Sequence, residues 1–253
     1  MKVHVHGTDV NYIVDGQGTD IILLHGWGQN IAMMQPVHDH LKQFHRVWTL
    51  DFPGFGESPE PPSAWDVYEY TAMVVAFVEK MGIKNPTLMG HSFGGRVAII
   101  YAGQQNPVNK VVLFDAAGVK PKRGLDYYAR VYSYKTAKKV MSLPGLKSMQ
   151  AKMQSRAGSA DYQNASPIMK QVLSKVVNED LQHLMPTMQI PVLLIWGELD
   201  DATPVSDAKI MEAKMPNAGL VVLPGVGHYA YLDRLPQVLA ILDSFLGNER
   251  GGI

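Results

Sequence analysis

Short apolar runs alternate along the chain with longer stretches in which apolar residues return every three or four positions. The first pattern reads as strand and the second as helix. Candidate strands are Lys2–His6, Val10–Val14, Ile21–His25, Val47–Asp51, Thr87–Gly90, Lys110–Phe114, Val192–Trp196 and Leu220–Leu223. The first two straddle Gly7-Thr8, a turn signal, and are expected to form an antiparallel hairpin. Later runs such as Ile21-Ile22-Leu23-Leu24 and Val192-Leu193-Leu194-Ile195 lack polar alternation, which suits strands covered on both faces.

Helical patterns fill the spaces between them. Asp66 is placed to cap a helix, with Glu69 three residues on and Gly82 beyond its end. Its Val67, Tyr70, Val74, Phe77 and Met81 fall on one face. Further helices are expected over Phe93–Gln104, Val205–Met215 and Leu232–Leu246. Strand and helix in alternation predict an α/β fold with a mainly parallel sheet.

One segment interrupts that order. Between Phe114 and Val192 the chain reads as three helices, at about Leu125–Met141, Leu146–Arg156 and a third begun by Ser166-Pro167 as cap and first helical residue. The third carries Ile168, Val172, Val176, Leu181 and Met185 as an apolar stripe, and the second carries Leu146, Met149 and Met153. An all-helical insertion in an α/β core reads as a lid. The expected organisation is a core of residues 1–118 and 186–253 with a helical cap over 119–185.

Composition narrows this picture without changing it. A chain of 253 residues buries roughly 73% of its unfolded surface, so its core needs no disulfide or metal to hold it. There is no cysteine, which excludes disulfides and thiolate catalysis. The N-terminus alternates apolar and polar residues and has no signal-peptide core, and no run reaches a membrane span of roughly 18 apolar residues. A cytoplasmic protein without a membrane span is expected. Net charge is zero, yet Val119–Met185 holds twelve Lys/Arg against four Asp/Glu, leaving eleven against nineteen elsewhere. The cap therefore carries +8 and the remainder −8.

Four short motifs carry candidate chemistry. Gly90-His91-Ser92-Phe93-Gly94-Gly95 is a G-x-S-x-G between a strand and a helix. Such a turn is too sharp for bulky neighbours, and it exposes the serine hydroxyl at a helix N-terminus. Ser92 is thus the candidate nucleophile, and the N–H of Phe93 a candidate oxyanion donor. His25-Gly26-Trp27-Gly28 follows the third strand, where the Trp27 N–H can supply a second donor and the Trp27 ring a pocket wall. Trp196-Gly197-Glu198-Leu199-Asp200-Asp201 puts acids beyond a strand's carboxyl end, the edge where open α/β sheets bind ligands. Gly225-Val226-Gly227-His228 follows the last strand; of nine histidines, this one alone sits in a glycine-rich loop downstream of both serine and acid. The order Ser92, Asp200, His228 differs from either serine-protease order.

These blocks, together with Asp51-Phe52-Pro53-Gly54-Phe55-Gly56-Glu57-Ser58, resemble the α/β-hydrolase superfamily from the first strand to Leu246. The resemblance implies an eight-stranded, mostly parallel sheet with helices on both faces and a helical cap. It implies a serine esterase with Ser92 as nucleophile, His228 as base, and Asp200 rather than Asp201 as acid, with no cofactor. It makes the Asp51–Ser58 block a structural turn, and serine at the elbow sets the chain apart from the dehalogenase and epoxide-hydrolase branches. The His-Gly-Trp-Gly-x-Asn and Asp-x-Pro-Gly-Phe-Gly stretches also resemble bacterial carboxylesterases that cleave methyl esters from acyl carriers.

Alternatives stay open at this level. Asp115 ends a strand and is a second candidate for the acid. The same three residues can serve C–C hydrolysis, acyl transfer, lyase chemistry, peptide cleavage or a hydrolase-like receptor, since fold does not fix substrate. Tyr127, Tyr128 and Tyr132 are candidates to line a substrate path, and the cap's cations, Lys138 and Lys139 among them, to receive an anionic substrate. His4, His6, His38 and His40 lack a third ligand at metal spacing and read as surface or structural residues. The expected partner is a small-molecule ester, with no nucleic acid and no metal.

Overall fold

A computed structural model describes residues 1–121 and 165–247. Eight strands form one sheet: β1 (Lys2–Val5), β2 (Thr8–Asp15), β3 (Asp20–Leu24), β4 (Arg46–Leu50), β5 (Thr87–His91), β6 (Lys110–Phe114), β7 (Val192–Gly197) and β8 (Ala218–Leu223). Their order is β1-β2-β4-β3-β5-β6-β7-β8. The β1–β2 and β2–β4 pairs are antiparallel and every other pair is parallel. All eight expected strands are present, displaced by at most two residues at either end. The first hairpin turns on His6-Gly7, with φ of 48° and 76°, and Thr8 already pairs with Val5. Both central residues are left-handed, the requirement of a tight two-residue turn that matches the twist of the strands.

Parity along the strands divides the core in two. Ile22, Leu24, Trp48, Leu50, Leu88, Leu113, Leu194 and Trp196 face one layer, with α2 (Val67–Lys80), α3 (Phe93–Gly103) and α5 (Val205–Lys214). Ile21, Leu23, Val47, Met89, Val112, Phe114 and Ile195 face the other, under α1 (Ile31–Leu41) and α7 (Leu235–Leu246). Successive residues of a strand point to opposite faces, so an unbroken apolar run fills both layers at once.

The helices depart from expectation in three places. The α1 helix, capped by the Asn30 side chain on Ala32 N at 3.0 Å, was not among the expected elements; Pro36 lies inside it and masks its pattern. The expected Leu232–Leu246 helix is broken into α6 (Ala230–Asp233) and α7 at Arg234, with φ −122° and ψ 37°. A continuous helix would need an N–H at Pro236 and would drive its ring into the Leu232 carbonyl. The third of the helices expected between Phe114 and Val192, α4 (Pro167–Val176), begins as expected with the Ser166 hydroxyl accepting from Met169 N at 3.2 Å. It ends at Val176, however, so Leu181 lies beyond it and Met185 opens a short 3₁₀ turn. Val172, Val176, Leu181 and Met185 are buried, while Met169 takes the place expected for the half-buried Ile168.

The Leu181 N–H donates to Gly118 O at 2.8 Å, so the chain just after β6 meets the chain that follows α4. The expected helices at Leu125–Met141 and Leu146–Arg156 lie outside the described residues. So do Tyr127, Tyr128, Tyr132, Lys138, Lys139, Met149 and Met153. No helix among the described residues is long and apolar enough to cross a membrane.

Candidate active site

Ser92 sits between β5 and α3 with φ 48° and ψ −106°, a backbone conformation that costs energy and persists only where surroundings enforce it. The surroundings are close. A Cβ on Gly90 would lie 2.5 Å from the Gly94 carbonyl group, and one on Gly94 would lie 2.2 Å from Leu24 O. The turn is therefore possible only with glycine at both places, the physical content of the G-x-S-x-G spacing. Ser92 N donates to Phe114 O at 3.1 Å, and Ser92 O accepts from Gly95 N at 3.1 Å and Ala117 N at 3.0 Å.

The hydroxyl so presented meets two residues from other loops. His228 Nε2 lies 3.0 Å from Ser92 Oγ, and His228 Nδ1 lies 2.8 Å from Asp200 Oδ2. Asp200 is buried and accepts further from Ala202 N at 2.9 Å, Thr203 N at 3.0 Å and Thr203 Oγ1 at 2.7 Å. Burial opposes its ionisation, but the bonds from His228 and Thr203 outweigh that and hold Asp200 below the usual carboxylate value. Burial likewise opposes the His228 cation. The hydrogen bond and charge of Asp200, with Asp115 and Asp201 farther off, override it and hold His228 above 6.5.

Asp115 does not touch His228. It is fully buried at φ 44°, with Oδ1 accepting from Gly197 N at 2.8 Å and Oδ2 from Ala230 N at 3.1 Å. Gly197 ends β7 just before the loop that carries Asp200, and Ala230 follows His228 by two residues. One carboxylate thus spans both loops. Burial, reinforced by the charge of Asp200, pushes Asp115 up to about 7. Asp201 is exposed.

Two further histidines brace the site as neutral rings. His91 Nε2 bonds His228 O at 2.8 Å, and burial pulls the ring down to about 3, so at neutral pH Nε2 donates. His25 accepts from Phe52 N on Nε2 at 2.9 Å, which leaves Nδ1 to donate to Gly26 O at 2.7 Å; burial pulls it to about 4. That ring joins the Trp27 loop to the turn after β4. The turn itself is held by Asp51, whose carboxylate accepts from Asn11 Nδ2 at 2.8 Å, Ile31 N at 2.8 Å and Glu57 N at 2.9 Å.

Among the described residues neither Trp27 N nor Phe93 N has an acceptor. Phe93 is the first residue of α3, so its N–H has no intrahelical partner and lies at the positive end of the helix dipole. Both residues line a cavity of about 230 Å³ over Ser92, together with Arg96, Leu173, Val176 and His228. The Trp27 ring stands edge-on to Phe55 and Phe93, with centroids 4.9 and 5.7 Å away.

The remaining histidines find ordinary partners. His38 bonds Thr49 Oγ1 at 2.8 Å and Asp15 Oδ2 at 3.1 Å, His40 meets Asp243 at 2.9 Å and His4 meets Asp9 at 2.8 Å. Among the described residues no three His, Asp or Glu side chains gather as a metal site. Thr203, His91 and Arg96 were not singled out from sequence. Thr203 had a visible signal, as the hydroxyl just beyond the acid and before Pro204. His91 and Arg96 flank the serine, yet nothing in the sequence gives the direction of their side chains.

The sequence profile of the α/β-hydrolase fold family matches residues 20–235. The chain belongs to that family. As an α/β-hydrolase it is similar over 96% of its length to a pimeloyl-[acyl-carrier protein] methyl ester esterase of Aliivibrio fischeri, at 27% identity and 99% of that protein. Among solved structures it resembles an esterase of Exiguobacterium antarcticum, with TM-score 0.76, 23% identity and coverage of 98% and 99% of the two chains. It also resembles a bromoperoxidase of Bacillus anthracis, with TM-score 0.78, 21% identity and coverage of 98% and 100%. The structural likenesses show the fold of this α/β-hydrolase.

Proposed function

We propose that this protein hydrolyses a carboxylic ester or thioester of a small molecule through an acyl-enzyme on Ser92, with residues 119–185 as a cap over the site. The observation that carries the reading is the chain of contacts from Ser92 Oγ to His228 Nε2 at 3.0 Å and from His228 Nδ1 to Asp200 at 2.8 Å. It lies at the wall of a cavity large enough for a small acyl group.

Neutral His228 takes the Ser92 proton on Nε2 while Oγ bonds to the substrate carbonyl carbon. Asp200 keeps the other proton on Nδ1 and stabilises the imidazolium that forms. The Trp27 and Phe93 N–H groups receive the oxyanion, each worth roughly 3–4 kcal/mol when preorganised. Collapse breaks the bond to the alcohol or thiol, which leaves with the proton from His228. Water then gives one proton to His228 and attacks the acyl-enzyme; the acid departs and Ser92 regains its proton. No step calls on a cofactor.

The test is a panel of p-nitrophenyl and methyl esters of graded acyl length, with Ser92→Ala as blank. Wild-type enzyme should turn over at least one series, and Ser92→Ala should lose roughly 10⁴-fold or more in kcat while keeping its melting temperature. An organophosphonate should label Ser92 alone. Turnover that survives Ser92→Ala, or label on another residue, would overturn the assignment.

A further inference from the structure

Arg96 is an unexpected residue to find beside Ser92. It lies one helical turn beyond the serine on α3, lines the same cavity and is only 5% exposed. Among the described residues no carboxylate comes within ion-pairing distance of it. A buried cation is costly unless its donors are met. Here two of them go to carbonyls: Nη1 donates to Glu179 O at 2.7 Å, and Nη2 reaches Val177 O at 3.5 Å.

Those carbonyls belong to the chain that closes α4. Val177 caps the helix, and the run from there to Asp180 carries it back toward the core. A cation at this end also meets the negative pole of the helix dipole. Burial pulls Arg96 down to about 10, countered by the more distant Glu179 and Asp180, so it stays charged at neutral pH. Leu173 and Val176 at the end of the same helix, with its cap Val177, line the cavity that Trp27 and Phe93 also line. Among the described residues nothing else polar on α3 bonds this wall; another tie to the end of α4, Lys175 Nζ to Ala64 O, is exposed and outside the cavity.

We propose that Arg96 is a specificity-determining positioning residue. By holding the carbonyls that end α4 to the helix that begins at Ser92, it fixes the wall of the cavity and restricts it to compact, apolar substrate groups. The proposal deepens the esterase reading and rests on it for its kinetic test alone.

The experiment compares Arg96→Met, Arg96→Lys and Lys175→Met with wild type. Met keeps the bulk and loses every donor; Lys keeps the charge but not the planar fork that reaches two carbonyls at once. One ester series varies the acyl chain from acetyl to decanoyl on p-nitrophenol, and a second varies the alcohol on a fixed acetyl group. For Arg96→Met the ratio of kcat/KM between long and short members should rise at least about fivefold in one series, carried by KM. Arg96→Lys should fall between Met and wild type, and Lys175→Met should leave the profile as it was. Amide hydrogen exchange over Leu173–Asp180 should quicken in Arg96→Met, a readout that needs no turnover. A chain-length profile unchanged in Arg96→Met, or one lowered equally at every length, overturns the proposal. So does a loss confined to monoesters of dicarboxylic acids, which would make Arg96 a receptor for substrate carboxylate. If no ester is turned over yet exchange quickens, the tether stands and the esterase reading fails.

Discussion

Around Ser92 the chain is held by contacts between backbone atoms. Gly90 and Gly94 lie where any Cβ would strike a carbonyl group, and the serine's own N–H and C=O are bonded to Phe114, Gly95 and Ala117. Around Asp200 and His228 side chains add to the backbone bond from Leu199 N to Val226 O. Asp115 takes the amides of both loops, Thr203 donates to Asp200, and His91 grips the carbonyl of His228. The first region is fixed by shape and has no ionisable group in its frame. The second is fixed by charge and hydrogen bonding, and its frame includes carboxylates and imidazoles whose protonation can change. A fault in the first should appear as lost stability, and a fault in the second as lost turnover with pH dependence.

The sharpest test on the polar side is the acid. Asp200→Asn presents an amide where His228 needs an acceptor and upsets its tautomer, so kcat should fall about 10³–10⁴-fold. Asp201→Asn removes an exposed carboxylate that bonds nothing in the site and should cost little. Steady-state kinetics of the two variants settle the choice; a large loss in Asp201→Asn with little in Asp200→Asn would reverse it.

The matching test on the steric side is Gly94→Ala. Its Cβ would stand 2.2 Å from Leu24 O, so β3 or α3 has to move. Such overpacking costs about 1–3 kcal/mol or more, a drop of several degrees in melting temperature for a chain of this length. Calorimetry should show this loss to exceed that of Asp200→Asn. The reverse ranking would erase the distinction between the two regions.

The same division explains what could be read from sequence. Ile21–Leu24 and Val192–Ile195 announce buried strands because an apolar run with no polar alternation has few other homes. The turn at Ser92 is legible because its steric demand leaves a glycine pattern. The polar frame leaves no such pattern: Asp115, Thr203 and Asp200 lie as far as 88 residues apart and meet only once β6 and β7 are paired. In sequence Asp115 is a second candidate for the acid because it ends a strand, as Asp200 follows one. What separates them is side-chain direction, one aimed at His228 and the other at two amides, which spacing does not encode. Helix ends behave likewise. Pro36 hid α1, and α4 stops at Val176, before carbonyls that bond an arginine 81 and 83 residues earlier in the chain.

The smallest expected effect is the most specific to the polar region, and it belongs to Asp115. In Asp115→Asn one oxygen still accepts an amide, but the other N–H then faces an NH₂ group. One buried hydrogen bond lost between the two loops should lower plateau kcat by roughly tenfold. The pH dependence gives the effect its signature. His228 acts as a base only when neutral, so kcat/KM should fall on the acid side with a midpoint above 6.5. The Asp115 charge is among the groups that hold His228 up, after Asp200, so removing it should move that limb to lower pH. Stability shows the opposite face of the same group. Asp115 titrates near 3.8 when unfolded and about 7 when folded, so the folded state retains a proton that the unfolded state has released. Wild type therefore loses stability from this residue as pH rises from about 4 to 7, roughly 4 kcal/mol in all, and no more above that. Asn has no such slope. Urea titrations at pH 5 and pH 8 should show the variant gaining on wild type as pH rises, even though it has lost a hydrogen bond. A difference between the two proteins that stays constant from pH 5 to pH 8 would mean that Asp115 holds its loops as a fixed charge. The polar region would then be as indifferent to pH as the glycine turn beneath Ser92.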